Sequence, residues 1–573
     1  MSRTAADYMA EALVQAGVKR IFGVVGDSLN GFTDSLRRIG SIDWVHVRHE
    51  ESAAFAASAE AHLTGKLAVC AGSCGPGNLH LINGLYEAHR SQVPVLAIAA
   101  HIPSSEIGID YFQATHPEIQ FRECSHYVEL VSHPDQLPQV LSRAIRVAVA
   151  QRGVAVVVIP GDVALQALGR PVPSWSVPEP PVIQPNEGDL DRLATLLNNG
   201  SRVTLLCGAG CAGAHDSVIE LARKLKAPIV HALRGKEYIE YDNPYDVGMT
   251  GFLGFASGYR AIKNCDTLLM LGTDFPYRQF LPDTARVAQV DIRAAALGNR
   301  CAIDLGVIGT VTDTLAALLP RVDEKTASAH LDESRLDYRI ARSDLDALAE
   351  SGPSTRLIHP QYLNRLLSEM ADDDTIFTCD VGTPVAWAAR YLKMNGKRRL
   401  VGSFNHGSMA NAMLQAIGAQ VTFPNRQVIS LSGDGGFTMM MGEFVTLVQR
   451  NLPVKIVVLN NGTLGFVEME MKASGFIDSG CDLTNPNFAE MARAMGIKGV
   501  RVEKPEDLPA AIDEVLKHDG PALLDVVSAR QELVMPPVTT LKDAHKFGMF
   551  MLKAVLDGRA KELIDLASVN LRR

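Results

Sequence analysis

Two strand-like segments of the chain end in oxygen-bearing side chains that could bind a metal ion. The apolar run "VISLS" leads into "GDGGF", where Asp434 stands between Gly433 and the pair Gly435 and Gly436. A second run, "KIVVLN", leads into "NGTLGF", which begins with Asn461, 27 positions after Asp434. Glycines let the backbone approach a ligand closely, and Mg²⁺ prefers a few hard oxygen ligands, completed by phosphate and water. Since the carboxyl ends of parallel strands meet at one edge of a sheet, a magnesium-bridged diphosphate is the predicted ligand.

The spacing between these two motifs resembles the signature of thiamine diphosphate enzymes. Either motif alone is typical of an ordinary turn or loop, but their joint occurrence at two strand ends favours a site. The resemblance implies that Mg²⁺ is held by Asp434, the side chain of Asn461 and the main-chain carbonyl of Thr463. It implies further cofactor contacts from the same loops and from "CDVGT": Gly382, Gly433, Gly435, Gly436, Gly462, Leu464, Gly465 and Phe466.

In such enzymes a protein carboxyl group must engage the cofactor's pyrimidine ring before C2 of the thiazolium can lose its proton. The segment "VRHEESAAFAASAEAH" supplies Glu50 and Glu51 where the strand "DWVHV" gives way to an alanine-rich helix. A glutamate at a helix start is ordinarily a surface residue that interacts favourably with the helix dipole. The nearby alanines permit close packing and burial, however, and the family pattern implies that Glu50 is the activating carboxylate, with Glu51 as its neighbour.

Two further segments match the surroundings of the cofactor in this family. In "FNHGSMANAM" the resemblance implies that the Gly407 carbonyl accepts a hydrogen bond from the pyrimidine amino group, while Met409 separates the two rings and Ser408 adds a contact. An ordinary glycine-started helix with a core methionine is the alternative. The other residues expected near the reacting atoms are Phe112 and Gln113 of "YFQ", and Phe466, for which a place in the core is equally compatible.

The middle of the chain contains two candidate nucleotide-binding patterns. "CGAGCAG" spells G-x-G-x-x-G after a strand, but no acidic residue follows about 20 positions later, so a nicotinamide cofactor is disfavoured. The segments "HALRGK", "GMTGFLG", "GTDFPYR" and "VDI" instead resemble, in order, the FAD-binding domain of the family's flavoproteins. The implied FAD contacts are Arg234, Thr250, Gly251, Phe252, Leu253, Gly254, Asp274, Phe275, Pro276, Tyr277, Arg278 and Asp291. Thr310 departs from the family pattern, which usually has Asp there.

Short Val- and Ile-rich runs alternate with helical patterns along most of the chain, which is typical of parallel sheets covered on both faces. The predicted fold class is α/β, with three doubly wound parallel-sheet domains, and the proline-rich stretch 170–185 indicates a linker. We expect residues 1–180 to bind the thiamine pyrimidine, 181–335 FAD and 336–530 the diphosphate and Mg²⁺, with a C-terminal helical tail over 531–573. Because Glu50 and Asp434 fall in different domains, each cofactor is expected to lie between two subunits of a homo-oligomer, a dimer of dimers.

The composition argues against several classes of protein. The 573 residues carry a net charge of −9 without a basic block, so the electrostatic footprint of a nucleic-acid binder is missing. The amino-terminal segment is an amphipathic helix pattern with acidic residues, unlike the apolar core of a signal peptide. No run of about 18 apolar residues provides a membrane span. These features predict a cytoplasmic protein.

From end to end the chain resembles the quinone-dependent pyruvate oxidases of the family. That resemblance implies oxidative decarboxylation of pyruvate to acetate and CO₂, with electrons passing through FAD to ubiquinone, by an enzyme peripheral to the cytoplasmic face of the bacterial inner membrane. The main alternative is a carboligase similar to acetolactate synthase, in which FAD is structural. A non-catalytic cofactor-binding protein is the other alternative.

The closing segment "KELIDLASVNLRR" predicts an amphipathic helix. Such a helix either docks on its own subunit or lies in a membrane interface, where terminal arginines attract anionic lipid. We expect it to bind lipid, docked at rest and moving onto the membrane when the flavin is reduced. Its apolar face consists of Leu563, Ile564, Leu566, Ala567 and Leu571, and the segment ends in Arg572 and Arg573.

Overall fold

The computed structural model describes residues 3–170, 176, 182–350, 357–534, 536–537 and 541–570 of the chain. Three six-stranded sheets follow one another along the sequence, and every pairing between their strands is parallel. The prediction of three parallel-sheet α/β domains is confirmed. Most of the expected linker, residues 171–175 and 177–181, lies outside the described residues.

The first sheet has three inner strands, Ala68–Gly72, Val95–His101 and Val154–Pro160, that are buried along their whole length, as a sheet covered on both faces requires. Its strands are β1 (Arg20–Gly23), β2 (Asp43–His46), β3 (Ala68–Gly72), β4 (Val95–His101), β5 (Tyr127–Leu130) and β6 (Val154–Pro160). The helices are α1 (Ala5–Gln15), α2 (Asn30–Ile39), α3 (Glu50–Thr64), α4 (Pro76–Ser91), α5 (Pro117–Gln120), α6 (Leu137–Gln151) and α7 (Gly161–Leu165). The strand order is β2-β1-β3-β4-β6-β5.

The middle sheet has a different strand order. Its strands are β7 (Val203–Cys207), β8 (Ile229–His231), β9 (Asp246–Met249), β10 (Thr267–Leu271), β11 (Arg286–Asp291) and β12 (Leu305–Ile308). The helices are α8 (Glu187–Asn199), α9 (His215–Leu225), α10 (Lys236–Ile239), α11 (Ala256–Lys263), α12 (Val311–Leu318) and α13 (Ala329–Leu348). The order β9-β8-β7-β10-β11-β12 is the arrangement of dinucleotide-binding domains.

The third sheet repeats the topology of the first. Its strands are β13 (Ile376–Cys379), β14 (Arg399–Gly402), β15 (Val428–Gly433), β16 (Lys455–Asn460), β17 (Lys498–Val502) and β18 (Ala522–Val527), in the order β14-β13-β15-β16-β18-β17. The helices are α14 (Pro360–Met370), α15 (Thr383–Tyr391), α16 (Asn411–Thr422), α17 (Asp434–Met439), α18 (Phe444–Gln449), α19 (Gly465–Ala473), α20 (Phe488–Ala494) and α21 (Leu508–Leu516).

Strand order determines where each sheet can bind a ligand. In doubly wound sheets the binding crevice lies beyond the carboxyl ends of the strands, at the point where the order reverses. That point falls between β7 and β10 in the middle sheet and between β13 and β15 in the third. Asp434 directly follows β15 and therefore stands at the crevice of the third sheet.

The first and third domains are packed tightly against each other. Helices α3 and α16 cross so closely that a Cβ on Gly418 would lie 2.2 Å from the carbonyl oxygen of Ala56. The carboxylate of Glu443 also accepts hydrogen bonds from the backbone N–H groups of Arg48 (2.9 Å) and His49 (3.0 Å). These contacts fix the start of α3 relative to the third domain.

Two helices, α22 (Leu541–Leu556) and α23 (Ala560–Asn570), follow the last strand. The helix expected in the closing segment corresponds to α23, and α22 also falls within the helical tail expected over 531–573. Leu571, Arg572 and Arg573 of that segment lie outside the described residues. Within the part of the chain that the structure describes, no helix is both long and apolar enough to span a membrane.

Candidate active site

A large cavity of about 2300 Å³ opens mainly between the middle and third domains, and residues of the first domain, among them His89 and Arg90, line one side of it. Ser408, Asn461 and Gly462 belong to its loops without lining it. The other third-domain residues expected to contact the cofactor do line it: Gly382, Gly407, Met409, Gly433, Asp434, Gly435, Gly436, Thr463, Leu464, Gly465 and Phe466.

Three helices begin at this cavity, each at the carboxyl end of a strand. Gly382, at φ 113°, is the N-cap of α15, Gly433 is the N-cap of α17 and Leu464 is the N-cap of α19. Helix N-termini expose backbone N–H groups and carry partial positive charge, so they attract anions. The geometry is therefore suited to the diphosphate that the sequence predicts.

Asp434 is buried at the centre of this wall, with 2% of its surface exposed. Its Oδ2 accepts hydrogen bonds from Gly462 N (2.7 Å) and Asn485 Nδ2 (2.8 Å), and its Oδ1 accepts one from Gly435 N (2.9 Å). Burial raises the pKa of Asp434, and these hydrogen bonds oppose that rise. A buried carboxylate of this kind is stabilised by a bound cation. Asn485 was not identified from the sequence, because no motif marks it.

The Asn461–Leu464 loop is braced by the segment opposite it. Leu464 N donates to Cys481 O (2.9 Å), and Leu483 N donates to Gly462 O (2.9 Å). Asn461 Oδ1 accepts from Thr463 N at 3.1 Å, which orients the amide oxygen within the loop. An anionic carboxylate, an amide oxygen and a main-chain carbonyl are the donor set that Mg²⁺ prefers.

The glycines of the Asp434 turn leave no room for side chains. A Cβ on Gly435 would lie 2.6 Å from Leu464 Cδ2, and a Cβ on Gly436 would lie 2.5 Å from Asp380 Oδ2. The backbone itself therefore forms this part of the cavity wall. We call this backbone wall, formed by residues 433–436, the cradle. Together with the three helix N-termini and the oxygen donors, the cradle fits a magnesium-bound diphosphate.

Met409 lies next to this cradle. Its Cε is 3.5 Å from the position that a Cβ on Gly435 would occupy. Gly407 has φ 83° and Ala410 has φ 65°, so the segment makes a tight turn before α16 begins. Ser408 faces away from the cradle, since its hydroxyl accepts a hydrogen bond from Asn83 of α4 (3.0 Å). The structure thus brings Met409 and the Asp434 turn together, although 25 residues separate them in the sequence.

The middle domain lines the other half of the same cavity. Its lining includes most of the expected FAD contacts: Arg234, Thr250, Gly251, Phe252, Leu253, Asp274, Phe275, Pro276, Tyr277 and Asp291. Gly254 and Arg278 belong to the same segments without lining the cavity. Burial raises the pKa of Asp291, against the opposing effect of Arg293. A partly desolvated carboxylate at a strand end is suited to accept hydrogen bonds from ribose hydroxyls.

The G-x-G-x-x-G motif also contributes to the cavity, a role that the sequence analysis did not assign. Gly208 and Gly210 line the wall at the point where the middle sheet reverses its order. A Cβ on Gly272, which follows β10, would lie 2.4 Å from Gly210 Cα. The two strand ends therefore meet through their backbones. The G-x-G-x-x-G pattern could have identified these glycines as cavity residues. The acidic residue missing after it argues only against a nicotinamide cofactor.

Thr310, which replaces the usual Asp, is the N-cap of α12. Its hydroxyl donates to Asp313 Oδ2 (2.6 Å) and accepts from Asp313 N (3.0 Å). Both residues line the cavity. A carboxylate is therefore present beside Thr310, although it comes from a position three residues further along the chain.

We expect Gly208→Ala to weaken FAD binding by about tenfold or more, because overpacking of a tight contact costs roughly 1–3 kcal/mol. The added Cβ would lie 2.5 Å from Thr273 Cβ and 2.6 Å from Gly272 O. The bound fraction can be measured from the flavin absorbance after dialysis. Gly188→Ala in the same domain is the matched control, since its Cβ would meet nothing nearer than Asn186 Oδ1 at 3.5 Å. Equal flavin retention in the two variants would contradict this placement of FAD.

Glu50, Phe112 and Gln113 form a second group that does not line this cavity. Glu50 is 8% exposed and begins α3, and its Oε2 is 2.8 Å from His80 Nδ1. The Cys74 thiol donates to Gln113 Oε1 at 3.4 Å, so Gln113 flanks the glycine turn that also contacts Glu50. Phe112 is 77% exposed. Within one chain the structure therefore separates these three residues from the cavity that contains Asp434.

Comparisons with known proteins agree with this geometry. Three domains of thiamine pyrophosphate enzymes match the chain: the N-terminal TPP binding domain at residues 3–121, the central domain at 190–318 and the C-terminal TPP binding domain at 380–526. A putative thiamine pyrophosphate-containing protein of Bacillus subtilis, YdaP, is 35% identical, with 98% of each chain covered.

Two enzymes of known name are also similar. Pyruvate oxidase of Lactiplantibacillus plantarum is 31% identical over 89% of this chain and 86% of its own. The acetolactate synthase large subunit of Parasynechococcus marenigrum is 33% identical over 92% of this chain and 88% of its own. With three matching domains and relatives of this coverage, the chain belongs to the thiamine pyrophosphate enzyme family.

Proposed function

We propose that this protein oxidises pyruvate to acetate and CO₂ with thiamine diphosphate, Mg²⁺ and FAD, and passes the electrons to ubiquinone. The main support is one observation: residues suited to thiamine diphosphate and residues suited to FAD line the same cavity, with Phe466 in its wall. Electron transfer from a substrate to a flavin requires such proximity. The similarity to a pyruvate oxidase supports pyruvate as the substrate.

When bound, thiamine diphosphate supplies the electron sink for loss of CO₂, and FAD accepts two electrons. The part of the protein is to bind, orient and activate. Asp434, Asn461 and Thr463 hold Mg²⁺ and thereby the diphosphate. Met409, in the wall beside the Asp434 turn, would hold the cofactor's rings in place, and the carboxylate of Glu50 would hold the proton at N1' of the pyrimidine.

The complete site forms between two subunits in this proposal. Glu50 is outside the cavity of its own chain, yet its proposed role requires contact with the cofactor. Phe112, a large apolar side chain next to Gln113 in the sequence, is 77% exposed in the single chain. A second copy that covers Phe112 and brings its own Asp434 site to Glu50 would satisfy both observations. A dimer of dimers is the expected assembly.

The similarity to acetolactate synthases favours a second candidate, a carboligase in which FAD is structural. The two functions differ in their products. Purified protein with pyruvate, a ubiquinone analogue and liposomes should form acetate and reduce one quinone for each acetate. Acetolactate without quinone reduction would support the carboligase, and the absence of both products would contradict both proposals.

Helix α22 packs against α19 of the third domain, and apolar side chains join α22 to α23. Phe550 and Ala554 of α22 and Leu566 of α23 are buried in one cluster, against which Leu563 also packs. Two residues of the expected lipid-binding face, Leu563 and Leu566, thus point inward, whereas Ile564 is exposed. This is the docked arrangement of a tail.

A buried ion network links this tail to the metal loop. Lys472 of α19 is 1% exposed and pairs with Glu468 (2.5 Å) and with Glu562 of α23 (2.6 Å). Glu468 Oε2 in turn accepts a hydrogen bond from the Thr463 hydroxyl (2.5 Å). A change in the position of the metal loop would therefore reach the tail through three consecutive contacts.

We infer that the tail brings the protein to the membrane, where ubiquinone is found. One side of α22 remains apolar and exposed while the opposite side is docked, and such a helix can lie in a lipid interface. The exposed apolar side chains are Met549, Met551, Leu552, Val555 and Leu556. The proposed location is peripheral, on the cytoplasmic face of the bacterial inner membrane.

Replacing Leu552 and Leu556 together by Ser should lower liposome affinity at least about tenfold, because each apolar side chain buried in lipid contributes roughly 1.5–3 kcal/mol. Pyruvate-dependent reduction of the flavin should be unchanged. Flotation with liposomes in the presence of pyruvate measures the binding. Replacing Leu336 and Ile340 of α13 by Ser is the matched control, since this pair has the same spacing and is also exposed. Equal flotation of the two double variants would show that α22 is not the anchor.

A further inference from the structure

His80 contacts Glu50 although no sequence motif marks it. It belongs to α4, and its Nδ1 is 2.8 Å from Glu50 Oε2. In the part of the chain that the structure describes, this is the one hydrogen bond to the Glu50 carboxylate. The other oxygen, Oε1, is therefore available to a ligand.

Helix α4 also approaches Oε1, but without a hydrogen bond. A Cβ on Gly77 would lie 3.0 Å from Oε1, so the glycine backbone packs directly against the carboxylate. The carboxylate is thus confined by Gly77 beside one oxygen and held by His80 at the other. Such confinement limits rotation of the carboxylate about its terminal torsion, which is otherwise broad.

His49 restrains the ring of His80. The two imidazoles are stacked, with centroids 4.1 Å apart and planes at 22°. His49 Nδ1 accepts a hydrogen bond from Glu51 N (3.2 Å), so this nitrogen carries no proton.

The carboxylate determines which nitrogen of His80 donates the hydrogen bond. An ionised carboxylate only accepts hydrogen bonds, and His80 Nδ1 is the nitrogen that lies 2.8 Å from Glu50 Oε2. Nδ1 is therefore the hydrogen-bond donor. The imidazole side chain is 43% exposed in the single chain.

We propose that His80 is a positioning residue: its Nδ1–H holds Oε2 of Glu50 and so presents Oε1 to N1' of the thiamine pyrimidine. This inference rests on the role proposed above for Glu50, but not on which 2-oxo acid is the substrate. Loss of the hydrogen bond should slow activation of the cofactor without weakening its binding, because the diphosphate and Mg²⁺ are held by the third domain.

Two substitutions distinguish the effect of losing the hydrogen bond from the effect of changing the size of the His80 side chain. His80→Asn places an amide N–H donor near the position of Nδ1, whereas His80→Leu has no donor. With Mg²⁺ and thiamine diphosphate bound but no pyruvate, exchange of the cofactor's C2 proton in D₂O should slow about tenfold to hundredfold in His80→Leu, the range for losing a hydrogen bond to a charged group. His80→Asn and the exposed control His518→Asn should stay within about threefold of the wild-type rate.

The dissociation constant of thiamine diphosphate, measured by calorimetry, should change less than about threefold in these variants. Wild-type exchange in His80→Leu, or an equal loss in His80→Leu and His80→Asn, would overturn the proposal. Slower exchange of the C2 proton that is fully explained by weaker binding of thiamine diphosphate would also overturn the proposal.

A second readout uses the protein without cofactor or substrate. Magic-angle-spinning NMR of protein with ¹⁵N-labelled histidine distinguishes the two ring tautomers, and the His80→Asn variant identifies the His80 signals. We expect a proton on Nδ1, and a proton on Nε2 alone would contradict the proposed hydrogen bond. If Nδ1 is protonated and the exchange pattern holds while pyruvate is not oxidised, the proposed function fails and the positioning role stands.

Discussion

Glu50→Gln should reduce pyruvate turnover at least about a hundredfold, the lower end of the effect of losing an acid-base group. Gln has nearly the same volume and can keep the contact with His80, so the fold should be retained. Thiamine diphosphate and FAD should remain bound, because Glu50 does not belong to the cavity that holds the diphosphate and the flavin. Turnover is measured with pyruvate and an artificial electron acceptor. A rate near that of the wild type would remove Glu50 from the mechanism.

The same variant also tests whether the site lies between two subunits. Co-expressing Glu50→Gln chains with Asp434→Ala chains gives some mixed dimers in which one of the two sites carries neither substitution. About a quarter of wild-type activity should then return, as random pairing of two kinds of subunit predicts. If both residues acted within one chain, mixing would restore nothing.

Asp434→Ala should weaken magnesium-dependent binding of thiamine diphosphate at least about a hundredfold, since a charged metal ligand and its hydrogen bonds are lost. FAD should stay bound, because its expected contacts come from the middle domain. Calorimetry measures the first effect and flavin absorbance the second. Asp513→Ala is the control, because Asp513 of α21 is a surface carboxylate that pairs with Lys517. This variant should bind both thiamine diphosphate and FAD as the wild type does.

Loss of flavin from a folded Asp434→Ala protein would contradict the assignment of the two cofactors to different domains. Unchanged binding of thiamine diphosphate would contradict the metal site itself. The two measurements therefore test separate parts of the assignment.

The sequence was sufficient to predict that the Asp434 turn and the Asn461–Leu464 loop lie together, because each segment is local. The turn after β15 and the loop after β16 each place their residues through short-range backbone geometry, and parallel strands must end at the same edge. Asp434 and Thr463 therefore line one cavity, as the motif spacing predicts. The three-sheet α/β fold follows from the same alternation of apolar strands and helices.

Other residues became evident only from the structure, because they act through contacts between distant segments. Asn485 binds Asp434 from 51 residues away, His80 binds Glu50 from 30 residues away, and Glu443 holds the start of α3 from 394 residues away. None of them belongs to a motif. All three are polar residues in ordinary helices or loops, and only tertiary packing brings their side chains to the site.

The tail illustrates a different limit. The amphipathic pattern of α23 was visible, but the same pattern fits a docked helix and a membrane-bound one, so the pattern could not separate the two. The structure places Leu566 in a buried cluster with Phe550. The exposed apolar side instead belongs to α22, which carries apolar residues on both its docked side and its exposed side.

The proposed coupling of decarboxylation to the flavin can be tested without a quinone. Under anaerobic conditions, pyruvate should bleach the flavin absorbance of the loaded enzyme in one turnover, and one acetate and one CO₂ should form for each flavin reduced. Adding a ubiquinone analogue should then restore the oxidised spectrum. If the flavin stays oxidised while acetolactate accumulates, the protein is a carboligase and the proposed oxidation of pyruvate is wrong.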